Sequence, residues 1–390
     1  MLADDDFAAL DGKRVGLVVN HTATVSPEDH LIDRIDAADN VELGALFGPE
    51  HGVRGTADAG EAVDDDRDPD TGAPIYSLYG DRERPDPEMM RDLDALIFDI
   101  QDVGARFYTY ISTMGRAMQS AAEAEVPFLV LDRPNPLGGD YVSGFMLDPE
   151  HESFVGLLEI PIAHGMTVGE LARMIKGESL LDGLDGLDLT VITTNGWSRD
   201  MRWADTELEW TPPSPNLPDL ETALVYAGTC LFEAVEASEG RGTERPFVQL
   251  GAPWNGDAAA ALAETLNNYD LPGVRFTTTS FTPRPIENMA SEPRFEGTTV
   301  HGVDIDVTDA DALEPVETGI YILHAFYQEA QRHDADFLTN RDWLAQLAGT
   351  DRLETMLDDG AEPDAIIDAW QEEADAFDEQ RRPYLLYGSR

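Results

Sequence analysis

The chain has 390 residues, 42% of them hydrophobic, enough to build cores for two domains. It carries 77 Asp plus Glu against 26 Lys plus Arg, a formal net charge of -51. Such a field excludes nucleic acid and anionic membrane as partners, because both require positive surface.

The acids are interspersed with periodic apolar segments rather than massed in one tail, which favours salt adaptation over disorder. Molar counterions would screen the self-repulsion, and the composition resembles that of extreme halophiles. Met1 to Asp6 has neither the basic start nor the apolar stretch of a signal peptide, and no apolar run approaches the roughly 20 residues of a membrane span. Cys230 is the single cysteine, which fits a reducing compartment. The expectation is a soluble cytoplasmic protein. CxxC, HExxH and Walker motifs are absent, so neither a metal nor another cofactor is expected.

In chain order, Arg14 to Val19 reads as a strand that ends in the polar turn Asn20-His21-Thr22. A helical pattern covers 27–38, and the apolar run Val41 to Phe47 is a second strand. It opens into Gly48-Pro49-Glu50-His51-Gly52-Val53-Arg54-Gly55, which sets an acid, an imidazole and a guanidinium among residues that turn sharply. Asp58 to Gly72 reads as an acidic loop, followed by a helix around 86–93. Strand Ala95 to Ile100 then enters Gln101-Asp102-Val103-Gly104-Ala105-Arg106-Phe107-Tyr108-Thr109-Tyr110, and a helix runs to about Ala124. Strand Pro127 to Leu131 ends in Asp132-Arg133-Pro134-Asn135-Pro136. Strands that are continuous apolar runs, alternating with helices, predict a doubly wound parallel sheet of the α/β class.

After His164-Gly165-Met166, Thr167 caps a helix over Val168 to Ile175, and Leu189 to Thr193 is a further strand. Trp210 to Asp219 is too rich in proline to be helix or central strand. From about 227 the texture changes. A helix near 256–268, strands near 274–281 and 300–307, and mainly helices from 317 predict a smaller α+β domain. The expected domains are 1–226 and 227–390.

Polar residues gather at strand ends. Four successive strands deliver Asn20, His21, Glu50, His51, Asp102, Arg106, Asp132, Arg133 and Asn135 to one rim. Open parallel sheets bind ligands at that carboxyl edge. Three chemistries suit the set. Glycoside hydrolysis would use Glu50 as general acid, with Asp102 or Glu239 as the second carboxyl. Metal-assisted hydrolysis would draw on His21, His51 and His164, whose scatter matches no compact ligand motif. Dinucleotide binding lacks its GxGxxG after the first strand. Structural readings stand beside these: one of Tyr108 and Tyr110 as core, Asp132 in an ion pair, His164 satisfying a turn. Gly240-Arg241-Gly242 suggests a backbone held close to a ligand, with Arg241 able to grip a carboxylate.

Taken together, GPEHGVRG, QDVGARFYTY, DRPNPLGG, HGMTVGEL, SPNLP and SEGRGTERPF with QLGAPW resemble, in order, the exo-β-N-acetylmuramidase (NamZ-like) family over nearly the whole chain. The resemblance implies a Rossmann-like N-terminal domain, a smaller C-terminal domain and a cleft between them. It implies removal of N-acetylmuramic acid from the non-reducing end of peptidoglycan fragments. A cell-wall-fragment binding protein that kept the cleft without the chemistry is the alternative. Glu50 matches the principal catalytic residue, and Asp102, Glu239 and Tyr110 are its expected partners. Asn20, His21, His51, Arg54, Arg106, Tyr108, Asp132, Arg133, Asn135, His164, Asn216, Arg241 and Arg245 are expected around the substrate, His51 and Arg54 in positioning roles. Arg241, with Arg106 or Arg245 as rivals, is expected on the lactyl carboxylate. One departure is visible: the family commonly has an acid in Tyr141-Val142-Ser143-Gly144, and Ser143 stands there.

Overall fold

A computed structural model describes residues 2–26, 29–54, 65–80 and 82–389. Gly55 of the reactive turn, residues 27 and 28 of the expected helix, and 58–64 of the acidic loop lie outside the described residues.

The first half runs β1 (Lys13–Val19), β2 (Thr24–Ser26), β3 (Asp29–His30), α1 (Leu31–Asp36), β4 (Val41–Gly48), β5 (Asp66–Arg67) and β6 (Pro74–Ser77). It continues through α2 (Pro87–Met90), β7 (Ala95–Asp99), α3 (Tyr110–Glu123), β8 (Phe128–Leu131), β9 (Ser143–Met146), β10 (Pro161–Ala163), α4 (Val168–Gly177) and β11 (Leu189–Ile192). Seven strands form one mixed sheet in the order β11-β8-β7-β1-β4-β6-β5. Its pairs are parallel except for the short edge pair of β5 with β6.

The apolar runs explain the layering. Successive strand residues point to opposite faces, so Val15, Leu17, Val19, Ala95 and Ile97 join one buried cluster. Val18, Phe47, Leu96 and Phe98 join the other. Both faces of the central strands are covered, and only a run without alternation can supply that. The α/β class follows.

Local differences from the sequence reading have physical causes. The pattern over 27–38 yields only the short α1, because His30 is extended and its ring Nδ1 accepts the Ile32 N–H at 3.1 Å, capping the helix there. Part of the acidic loop pairs as β5, and β6 was not anticipated. The helix at 86–93 shrinks to α2, and β9 and β10 form an unanticipated antiparallel ribbon. Thr167 does cap α4, in a reciprocal box with Glu170.

The second half contains α5 (Leu220–Thr229), β12 (Gln249–Ala252), α6 (Ala259–Asn268), β13 (Val274–Phe281), β14 (Val300–Val307), α7 (Pro315–Arg332), α8 (Arg341–Ala348), α9 (Arg352–Asp358) and α10 (Pro363–Arg381). β12, β14 and β13 form a small antiparallel sheet. Helices α5 and α7 cross with their backbones touching. A Cβ on Gly228 would lie 2.9 Å from the Gly319 Cα, so only glycine fits on either side.

The C-terminal helices return to the first half. Trp370 of α10 packs edge-on against Phe145 of β9, with centroids 5.1 Å apart. In place of the expected acid, the Ser143 hydroxyl and the Tyr141 hydroxyl both donate to Glu317 of α7. The carboxylate at that junction therefore comes from the second half.

Candidate active site

The reactive turn leaves β4 at Gly48. The Gly52 N–H donates to the Pro49 carbonyl at 2.9 Å, and His51 takes a left-handed φ of 69°. Glu50 is thereby lifted to the wall of a cavity of about 530 Å³. The Thr109 hydroxyl, at the start of α3, donates to Glu50 Oε2 at 3.0 Å. The Tyr79 hydroxyl, just beyond β6, donates to the same carboxylate, and burial first, then Glu50, pushes the Tyr79 phenol well above its ordinary pKa. A phenol so raised stays protonated and serves as a donor.

The floor is aromatic. Tyr226 meets Phe107, Tyr108 and Phe247 edge-to-face, with centroids 5.4, 5.9 and 4.8 Å apart. Trp343 and Leu347 of α8 add apolar surface at the wall.

The opposite wall comes from the second half. Gly240 and Gly242, with φ of 83° and 79°, turn the chain so that Glu239 and Arg241 face the same space. Glu239 is buried, and its Oε2 has no hydrogen-bond partner among the described residues. Burial raises its pKa, which the Arg241 charge opposes and the Glu233 charge reinforces. Arg241 donates to Glu233 at 2.6 Å, lies 3.7 Å from Glu239, and stacks 5.3 Å over Phe247. Asn216, from the proline-rich loop, donates to the Met289 carbonyl at 2.7 Å while its buried Oδ1 lacks a partner among the described residues.

Of the residues singled out from sequence, Glu50, His51, Tyr108, Asn216, Glu239 and Arg241 line this cavity. Others support it from behind. Tyr110 donates to the Pro213 carbonyl at 2.6 Å and His21 bonds the Pro212 carbonyl at 2.6 Å, so both clamp the proline-rich loop. Burial lowers the His21 pKa, holding the ring neutral. Asn20 folds back onto Thr22. Asp102 accepts the Gly104 N–H at 2.7 Å and lies 3.7 Å from His164, whose Nδ1 accepts the Met166 N–H.

The remainder lie elsewhere. Arg54 is held by Asp68. Arg106 is fully buried and donates to the carbonyls of Phe145, Ile160 and Leu347, which makes it a staple between halves rather than a substrate ligand. Asn135 bridges Leu137 and Met166. Arg245 sits near Asp304 and Asp306. Asp132 and Arg133 line a second cavity of about 580 Å³ at the ends of β8 and β11.

Sequence reasoning missed Tyr79, Thr109, Glu233 and Arg294, all on the first cavity. Tyr79 carried a signal. Ile75-Tyr76-Ser77-Leu78 is one more strand end on the same rim.

No group of three or more His, Cys, Asp or Glu among the described residues could hold a metal. No helix among them is long and apolar enough to cross a membrane.

Known proteins share both halves of this geometry. Residues 15–221 match the family described as exo-beta-N-acetylmuramidase NamZ, N-terminal, and residues 224–387 match its C-terminal counterpart. The chain is 44% identical over 389 residues to the peptidoglycan beta-N-acetylmuramidase NamZ of Bacillus subtilis (strain 168), covering 99% of this chain and 90% of that one. Two crystal structures of DUF1343 family proteins from Bacteroides fragilis are similar, each 35% identical. One superposes with a TM-score of 0.89 over 99% of this chain and 97% of that one. The other does so at 0.80 over 100% and 98%.

Proposed function

The chain belongs to the exo-β-N-acetylmuramidase NamZ family, and from that premise we propose how its cavity works. It is a glycosidase, a peptidoglycan β-N-acetylmuramidase like its Bacillus subtilis relative. In our reading it releases N-acetylmuramic acid from the non-reducing end of peptidoglycan-derived fragments. The reading rests on one observation: Glu50 from the first half and Glu239 from the second line the same cavity. Hydrolysis of a glycosidic bond uses two such carboxyl groups around an oxocarbenium-like transition state.

Glu50 is the general acid. The Thr109 and Tyr79 hydroxyls hold its carboxyl at the cavity wall, from where it protonates the leaving oxygen. Glu239 supports the anomeric centre as a carboxylate, a state that Arg241 favours against the cost of burial. The substrate's own acetamido group is the rival for that role. The aromatic floor receives the apolar face of the sugar ring.

Three finer readings accompany this one. The strand order reverses at β1 and the cavity lies beyond the strands' carboxyl ends, which supports a Rossmann-like doubly wound sheet. Residues 1–226 and 227–390 are taken as the two functional units. The net charge of -51 and the single buried Cys230 support a salt-rich, reducing cytoplasm as the working environment.

The test is incubation with 4-nitrophenyl β-N-acetylmuraminide and its glucosaminide counterpart in molar potassium chloride. Free sugar is expected from the muraminide, at a rate that falls as the salt is diluted. Tight binding of the muraminide without release would reject the hydrolase reading.

A further inference from the structure

The muramidase reading leaves open which side chain tells N-acetylmuramic acid from N-acetylglucosamine. The two sugars differ by a lactyl ether that carries one carboxylate. A cavity wall containing Glu50, Glu233, Glu239 and Glu292 repels that group unless a cation whose charge is not already cancelled meets it.

Arg241 is the more committed cation, although its buried Nε has no hydrogen-bond partner among the described residues. Its guanidinium already donates to Glu233 at 2.6 Å, faces Glu239 at 3.7 Å and covers Phe247. Two carboxylates neutralise it before any ligand arrives. Neither Arg106, which is fully buried, nor Arg245, which sits near Asp304 and Asp306, lines the cavity.

Arg294 is held differently. Its Nη1 donates to the carbonyls of Phe232 and Glu233, at 3.4 and 3.2 Å. Carbonyls orient a guanidinium without cancelling its charge. Its nearest acid among the described residues is Glu236, 3.6 Å away and 40% exposed, where solvent screens the pair. About one third of the Arg294 side chain is exposed, and the residue lines the cavity. Glu239 lines the same cavity, and the Arg294 charge favours its ionised form. The loop is braced. Asn216 holds the Met289 carbonyl at 2.7 Å, the Arg284 N–H donates to the Gly242 carbonyl at 2.9 Å, and Pro293 packs where a side chain on Gly242 would stand.

We propose that Arg294 is the specificity residue of this site, pairing its partly exposed guanidinium with the lactyl carboxylate of the muramyl unit. The assignment rests on the muramidase reading for its ligand, while Arg241 tunes the two neighbouring acids instead of touching substrate.

The experiment measures binding of free N-acetylmuramic acid and of N-acetylglucosamine, by calorimetry in molar potassium chloride, to the wild-type, R294Q and R294K proteins. Arg294→Gln is expected to bind N-acetylmuramic acid roughly 10- to 100-fold more weakly, the range of a hydrogen bond between charged groups. N-acetylglucosamine binding should stay within about twofold, which also reports an intact cleft, and Arg294→Lys should recover part of the loss. A parallel kcat/KM comparison uses the 4-nitrophenyl muraminide and its lactyl methyl ester, the ester being insensitive to R294Q. Equal loss on both sugars, or no loss on either, overturns the assignment. If the wild-type chain hydrolyses neither chromogenic substrate yet shows the binding difference, the hydrolase reading fails and Arg294 keeps its role.

Discussion

Two cavities open at the carboxyl edge of the same sheet, and their volumes, about 530 and 580 Å³, do not tell them apart. The fate of their charged groups does; among neutral groups, Trp197 Nε1 in the second cavity also has no partner among the described residues. In the second cavity Asp132 accepts from the Thr167 and Tyr387 hydroxyls and the Gly169 N–H at 2.7, 2.6 and 2.7 Å. Arg133 beside it is tied to Asp99 at 2.6 Å and to the Thr24 carbonyl. These charges hold the start of α4 and the C-terminal tail onto the sheet. In the first cavity Glu239 Oε2 and Asn216 Oδ1 have no partner among the described residues, and Arg294 is oriented by neutral carbonyls. Buried polar atoms are nearly always paired, so those left over mark where a ligand completes the set. A rim position nominates a residue; spare bonding capacity selects it.

That contrast can be broken by mutation, and the largest effect belongs to the first cavity. Glu50→Gln should lower kcat on the muraminide by roughly 10²- to 10⁴-fold, the contribution of a positioned general acid, while Kd for the substrate changes little. Near-normal turnover would remove Glu50 from the acid role. The matching change in the second cavity should move stability instead. Asp132→Ala strands three donors and a helix start, and is expected to cost about 2–4 kcal/mol in thermal unfolding, with kcat per folded molecule unchanged. A large fall in kcat at constant stability would mean that the second cavity also takes part in chemistry.

The smallest effect is in pH dependence. Burial raises the Glu239 pKa and the Arg241 cation opposes that rise. Removing the cation disfavours the carboxylate, so more alkaline solution is needed to ionise it. The acid limb of kcat/KM for Arg241→Gln should therefore move up, by about one pH unit or more. An unmoved limb would indicate that Glu239 is not the group whose ionisation limits the reaction.

Much of the scaffold was readable in the sequence, since a strand buried on both faces must be a continuous apolar run, as Val41 to Phe47 and Ala95 to Ile100 are. The edge was harder. β6 spans only Pro74–Ser77 behind an acid-rich stretch, and Tyr79 was lost with it. The rim rule found Glu50, but it also admitted Asp132 and Asn135, because a strand end is where a following helix is capped as well as where a ligand sits. Arg106 looked like a ligand because its partners are carbonyls at positions 145, 160 and 347, which no local pattern brings together. Arg294 stands in an irregular loop between Pro293 and Phe295, and nothing periodic points to it. Its importance follows from what surrounds it.

The most direct test is a crystal structure of the Glu50→Gln protein, grown in high salt and soaked with an uncleaved muramyl disaccharide. The sugar should lie in the first cavity, its glycosidic oxygen at the amide introduced by that substitution, its anomeric carbon facing Glu239 and its lactyl carboxylate on Arg294. Sugar density in the second cavity, beside Asp132 and Arg133, would contradict the account.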